Sequence, residues 1–299
     1  MVKLEVTVAK VKMRNPFVLA SGVRGNYAGL LIRAAQEGAG AVTSKSCSIE
    51  PRPGHPNPTA LIFGNTVMNA VGLSNPGVAE EAEQLKKAVK EAGVPVIASV
   101  FGKSADEFVQ AAKALEVAKP AMLELNISCP NVSREGRMFS ADPAATEEIV
   151  RAVKKAVKLP VSAKLSPNVT DIAEIAVAAK KGGADAITAI NTLSGMWIDA
   201  FAKKPYLANR QGGVSGPAIK PVALRCIWQI RQAVDLPIIG GGGITSGTDA
   251  AEMLMAGATA VSIGSAVCYR KNAFAEIKDE LIAFMESEGY AKVSDIKLE

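Results

Sequence analysis

Eight short apolar runs, near residues 17, 41, 96, 122, 161, 186, 237 and 260, alternate along this chain with stretches carrying apolar residues at helical spacing. Each strand-length run followed by a helix-length return predicts parallel strands, because a helix carries the chain back to the same edge of the sheet. Eight such units predict an α/β fold of one kind, the (β/α)₈ TIM barrel. The expected helices span about 28–37, 78–91, 104–118, 143–157, 170–181, 217–233, 247–256 and 272–286. Asp142 before Pro143 is a helix start, and Thr170 is the expected cap of the next helix. Alternation over residues 3–13 predicts a small β-hairpin at the amino end, and the Pro- and Gly-rich segment 51–77 predicts a long irregular βα-loop insertion. No low-complexity linker divides the chain, so residues 1–299 read as a single domain. An open doubly wound sheet would need an early glycine fingerprint, which is missing.

Composition narrows the function. With 48% hydrophobic residues the chain can bury a large core. Its net charge of +5 is mild and its lysines are scattered on helical stretches, so no nucleic-acid surface is expected. No apolar run approaches the roughly 18 residues of a membrane span, and the first residues lack a signal-peptide pattern, so a cytoplasmic protein is expected. The four cysteines, Cys47, Cys129, Cys226 and Cys268, form no CxxC pair, which suggests neither a metal site nor an iron–sulfur cluster in this chain. His55, the only histidine, falls in a Pro-rich loop and reads as a surface residue.

The residues just after each run carry the chemistry. Residues 121–131 read Ala-Met-Leu-Glu-Leu-Asn-Ile-Ser-Cys-Pro-Asn: an apolar strand, broken by Glu124, ending on Asn126, Ser128, Cys129 and Asn131. The carboxyl ends of barrel strands are where barrel enzymes place their sites. Amides suit a planar, hydrogen-bonding substrate, and a thiol can serve as base or nucleophile; a buried structural cysteine among turn residues is the competing reading. Lys45 and Lys164 end the second and fifth strands, where a lysine is either a Schiff-base nucleophile or a fixed cation beside an anion. Gly240 to Gly243 and Gly264-Ser265 follow the seventh and eighth strands, the usual place for a barrel phosphate site, and Gly212 to Gly216 could add a backbone contact.

Together these residues resemble the class 1 dihydroorotate dehydrogenases. Asn126 to Asn131 is similar to their catalytic loop, and Met68 to Gly77 to their substrate segment. Ser44-Lys45-Ser46, Ala163 to Asn168, Ile190 to Thr192 and the two glycine turns match in order and spacing across essentially the whole chain. The resemblance implies that Cys129 is the base that takes a proton from carbon 5 of dihydroorotate while a hydride leaves carbon 6 for FMN. It implies FMN contacts from Ser21, Lys45, Ser46, Ser99, Asn126, Lys164, Ile190, Gly216, Gly242, Gly243, Gly264 and Ser265, although Ser99 stands where many relatives carry asparagine. Substrate contacts are implied for Lys45, Asn69, Ala70, Val71, Gly72, Leu73, Asn126, Asn131, Asn191 and Thr192. Local detail is most similar to class 1B. That class implies a homodimer of this chain joined, in a heterotetramer, by a partner subunit carrying FAD and a 2Fe–2S cluster that delivers electrons to NAD⁺. A fumarate-linked class 1A enzyme and a dihydropyrimidine dehydrogenase are the nearest alternatives; a flavin-free aldolase using Lys164 and a silent FMN-binding subunit are more distant ones.

Overall fold

The computed structural model describes residues 2–127, 133–134 and 137–298. The described residues form a closed barrel of parallel strands: β1 (Phe17–Leu19), β2 (Ala41–Thr43), β3 (Val96–Val100), β4 (Met122–Asn126), β5 (Val161–Lys164), β6 (Ala186–Ala189), β7 (Ile238–Gly241) and β8 (Ala260–Ile263). Each strand pairs with its successor, and β8 closes the ring on β1 through Val261–Phe17, Ser262–Val18 and Ile263–Leu19. The returns are α1 (Ala28–Gln36), α2 (Val78–Glu91), α3 (Ala105–Glu116), α4 (Pro143–Ala156), α5 (Ile172–Gly182), α6 (Lys220–Ala233), α7 (Gly247–Met255) and α8 (Ala273–Ser287). This is the (β/α)₈ architecture expected from the alternation.

Local signals set the helix ends. Asp142 caps α4 by accepting from the N–H groups of Ala144 and Ala145, with Pro143 at the first helical position. On α5 the cap is Asp171, which accepts from Ala173 and Glu174, and not Thr170 as the sequence suggested; a carboxylate one residue later competes better for the free N–H groups. Among the described residues no helix is long and apolar enough to cross a membrane.

Side-chain alternation divides the barrel wall. Leu123 and Leu125 of β4 pack outward with the helices, whereas Met122 packs inward. The inward set at the amino-terminal end is apolar: Val18, Ala41, Ile97, Met122, Ala186, Ile239 and Ala260. Val8, Val11 and Met13 join it from the hairpin of Val6–Val8 and Val11–Met13, which plugs that end. Two residues further along the same strands the inward positions become Thr43, Ser99, Glu124 and Thr188, all buried. Ser162 of β5 joins this layer through a 2.8 Å hydrogen bond to Thr188.

Segment 51–77 is less irregular than expected. It contains a hairpin, Ala60–Phe63 and Thr66–Asn69, whose second strand pairs with Gln211–Ser215. Leu193–Met196 completes a four-stranded antiparallel sheet among the described residues. Two insertions, after β2 and after β6, thus fold as one unit over the carboxyl end of the barrel.

Candidate active site

Lys45 and Lys164 meet at the mouth. Lys164 is the last residue of β5, and Lys45 follows β2 with its N–H bonded to Gly25 at 3.0 Å. Lys45 is 9% exposed and Lys164 7%. The Lys164 ammonium lies 3.7 Å from Glu124, whose side chain is itself buried. Among the described residues the Lys45 ammonium has no ion-pair or hydrogen-bond partner. Burial first, and then the charge of Lys164, push its pKa below the ordinary lysine value. Two enclosed cations beside one described carboxylate leave excess positive charge, which an anionic or electron-rich ligand would offset.

A chain of hydroxyls runs beneath them. Ser21 Oγ lies 3.3 Å from Ser46 Oγ, Ser46 Oγ lies 2.9 Å from Ser99 Oγ, and Ser99 donates to Glu124 at 3.1 Å. The Asn126 side-chain amide donates to Ser46 at 2.9 Å. Ser99 has no exposed surface and sits below Ser46, joined to Ser46 and Glu124.

The two glycine turns differ in their reasons. Gly242 and Gly243 have φ of 129° and 80°, and a Cβ at either would come within 2.7 Å of α6, at Ala223 or Lys220. The packing of α6 therefore demands glycine there. At Gly264 a Cβ would meet only Ala20, at 3.6 Å, so the described protein leaves that backbone accessible. Among the described residues the N–H groups of Gly243, Gly264 and Ser265 take no part in the loop hydrogen bonds. A short helix, Ala266–Tyr269, starts directly after Ser265. Free amides on these two turns are the donor set that a phosphate monoester needs. Asp249 fixes the first turn from behind: it pairs with Lys220 at 2.6 Å and accepts from Thr245 and Ser246. Ile190, at the end of β6, donates its N–H to Gly241 at 3.0 Å. Gly216, with φ of 107°, packs instead on the insertion hairpin, where a Cβ would lie 2.3 Å from the Asn65 carbonyl.

The accessory sheet gathers the remaining polar residues. Asn69 is in register with Gly213, and a Cβ on Gly213 would strike the Thr192 hydroxyl, so glycine lets Thr192 pack against the strand that pairs with Asn69. Asn191 donates its N–H to Leu165 at 2.9 Å and accepts from the Thr192 N–H at 2.8 Å. Asn168 proves to be a brace: its amide donates to Ser166 and to the Thr192 carbonyl, and accepts from Ser194. Segment Ala70–Leu73 is held by His55, whose N–H donates to Val71 at 3.1 Å and whose Nδ1 lies 3.1 Å from the Ala70 carbonyl. Gly72 permits this, since a Cβ would lie 2.6 Å from the His55 nitrogen. The histidine is half-buried and structural, more enclosed than a surface loop residue. Asn75 holds the segment's other end, donating to Leu73 and accepting from Gly77 and Ser48. Cys129 and Asn131 lie outside the described residues.

Sequence comparison places this geometry. Residues 3–285 match the family model for dihydroorotate dehydrogenase. The chain belongs to the dihydroorotate dehydrogenase family. A relative from Methanocaldococcus jannaschii, named dihydroorotate dehydrogenase B (NAD(+)), catalytic subunit, is 47% identical over 95% of this chain and 94% of its own. Relatives of the same name from Methanothermobacter thermautotrophicus and Pyrococcus abyssi are 47% and 44% identical, each over 98% of this chain and 97% of their own. Within this dihydroorotate dehydrogenase barrel, Asn75 and Asn168 lie in segments the sequence singled out but brace neighbouring loops, a role their position did not announce. For Glu124 the signal in the sequence was an acid inside an otherwise apolar strand.

Proposed function

We propose that this chain is the catalytic subunit of an NAD⁺-linked dihydroorotate dehydrogenase, oxidising dihydroorotate to orotate in pyrimidine biosynthesis. The observation that carries this reading is the pair of buried ammonium groups, Lys45 and Lys164, at the mouth of a barrel related over nearly its whole length to such subunits. FMN would be held by Ser21, Lys45, Ser46, Asn126, Lys164 and Ile190, with its phosphate on the amides of Gly243, Gly264 and Ser265 and with Gly216 and Gly242 shaping the turns. When bound, FMN supplies a two-electron acceptor for the hydride leaving carbon 6. Lys164 is the fixed cation that favours charge arriving on the ring, and Ser99 acts from below through Ser46.

The substrate ring is planar and edged with donors and acceptors. Asn69, Asn126, Asn131, Asn191 and Thr192 offer the complementary groups, and Ala70 to Leu73 cover it. Lys45 meets the carboxylate. Cys129 takes the proton from carbon 5, leaving a carbon–carbon double bond as the hydride departs carbon 6. Electrons then pass to a partner chain, since the relatives are named as catalytic subunits; FAD and a 2Fe–2S cluster on that chain, in a heterotetramer around a homodimer of this one, would complete the route to NAD⁺. The free thiols of Cys47, Cys226 and Cys268 suit a cytoplasmic setting. Mass spectrometry of the released cofactor tests the core of this proposal: FMN is expected, and FAD, or no flavin after reconstitution, would refute it. The isolated chain should oxidise dihydroorotate with an artificial acceptor and leave NAD⁺ unreduced; rapid turnover with fumarate would move it to class 1A.

A further inference from the structure

The polar layer inside the barrel has a direction. A carboxylate accepts hydrogen bonds and cannot donate them, so the Ser99 hydroxyl must point its one hydrogen at Glu124, 3.1 Å away. Ser99 can then only accept from Ser46, at 2.9 Å. Ser46, its own hydrogen spent on Ser99, accepts from the Asn126 amide at 2.9 Å and from Ser21 at 3.3 Å. Every donor in the chain therefore points inward to Glu124, and the mouth receives the complementary pattern: Ser21 shows lone pairs, and Asn126 directs its NH₂ group inward. The same carboxylate is the described counter-charge of Lys164, 3.7 Å away. It is placed by the alternation of β4, two residues beyond Met122 of the apolar floor and two before Asn126 at the mouth.

We propose that Glu124 is a positioning residue for the flavin reaction: its charge sets the polarity of the Ser21–Ser46–Ser99 chain and holds down the positive field of Lys164, and so lowers the reduction potential of the bound flavin. This rests on the FMN reading above. A neutral residue at 124 would leave the fields of both lysines unopposed by the described carboxylate, favouring the electron-rich reduced ring. A side-chain amide there can also donate, which lets the hydroxyl chain reverse.

The test is the potential of flavin bound to the full chain, measured by dye equilibration across pH in wild type and Glu124→Gln. The variant should bind reduced FMN more tightly relative to oxidised FMN by about tenfold or more, a rise of about 30 mV for a two-electron couple. Ser99→Ala, which keeps the charge and removes its donor, should shift the potential much less at neutral pH. An unchanged potential in flavin-loaded Glu124→Gln would overturn the proposal. If that variant does not retain FMN, Glu124→Asp decides: its shorter side chain draws the charge back from Lys164, now 3.7 Å away, so the potential should rise, and an unchanged potential would overturn the proposal. Should wild type itself take up no flavin, the FMN reading fails separately. The charge pairing then shows in melting of the flavin-free chain: Glu124→Gln and Lys164→Met together should cost less than the sum of each alone, and strict additivity would refute it.

Discussion

Met122 and Glu124 stand two residues apart on one strand, both buried, both facing into the barrel, yet their layers do different work. Around Met122 the inward positions are aliphatic and the hairpin seals them from below. Around Glu124 they are Thr43, Ser99, Ser162 and Thr188, and the buried lysines stand above. The backbone period of two serves both layers equally. Side-chain chemistry makes one end a floor for stability and the other a field for catalysis, at the cost of burying charge. The separation is a physical claim, and substitutions in each layer can break it.

The largest effect belongs to the mouth. Cys129→Ser should slow flavin reduction by dihydroorotate about 10²–10⁴-fold at pH 7, with activity partly returning at higher pH, and should leave the melting temperature unchanged. Stopped-flow reduction across pH checks this; a wild-type rate at pH 7 would assign the base elsewhere. On the floor the pattern should invert. Met122→Ala leaves a cavity that a closed ring of strands cannot collapse into, and should cost about 2–5 kcal/mol in denaturant unfolding. Its FMN affinity should stay as in wild type; a parallel loss of affinity would mean that the two layers are not separable.

Glu81 on α2 sharpens the comparison from outside the barrel. It is buried, one of its carboxylate oxygens lacks a partner among the described residues, and burial pushes its pKa up to about 7. A raised carboxylate pKa means the folded chain holds the proton more tightly than the unfolded chain. Its contribution is fully present below the unfolded value of 4.5 and is lost as pH rises through about 7. Glu81→Gln should therefore gain up to about 3 kcal/mol at pH 8 relative to wild type, and little near pH 4. Melting curves at the two pH values check it, and an equal effect at both would contradict the assignment. The smallest expected effect is Lys164→Ala, which should weaken FMN binding by about tenfold to a hundredfold and lower the flavin potential. Titration of the flavin-free chain measures the first. Trapping a substrate adduct on Lys164 with borohydride would instead make it a nucleophile.

Much of this was legible in the sequence because it is local. Strand-length apolar runs and helix periodicity located the barrel strands, and Lys45, Lys164 and the two glycine turns were visible as strand-end residues. The accessory sheet was not legible, because Thr66–Asn69 pairs with Gln211–Ser215 across about half the chain and nothing in either segment names its partner. The role of Glu124 was hidden for a related reason. An acid in an apolar strand is only a discord until alternation puts it inside the barrel and β5 brings Lys164 to it. Asn168 reads as a mouth residue by position and turns out to brace Thr192 and Ser194, a distinction that lies in side-chain direction.

The most direct test of the account is anaerobic mixing of the flavin-loaded chain with dihydroorotate, followed by flavin absorbance. The buried lysines and clustered amides predict full bleaching in one turnover with release of orotate, and no bleaching by dihydrouracil, which lacks the carboxylate assigned to Lys45. Bleaching by dihydrouracil and not by dihydroorotate would contradict the substrate, and a flavin that neither compound reduces would contradict the function.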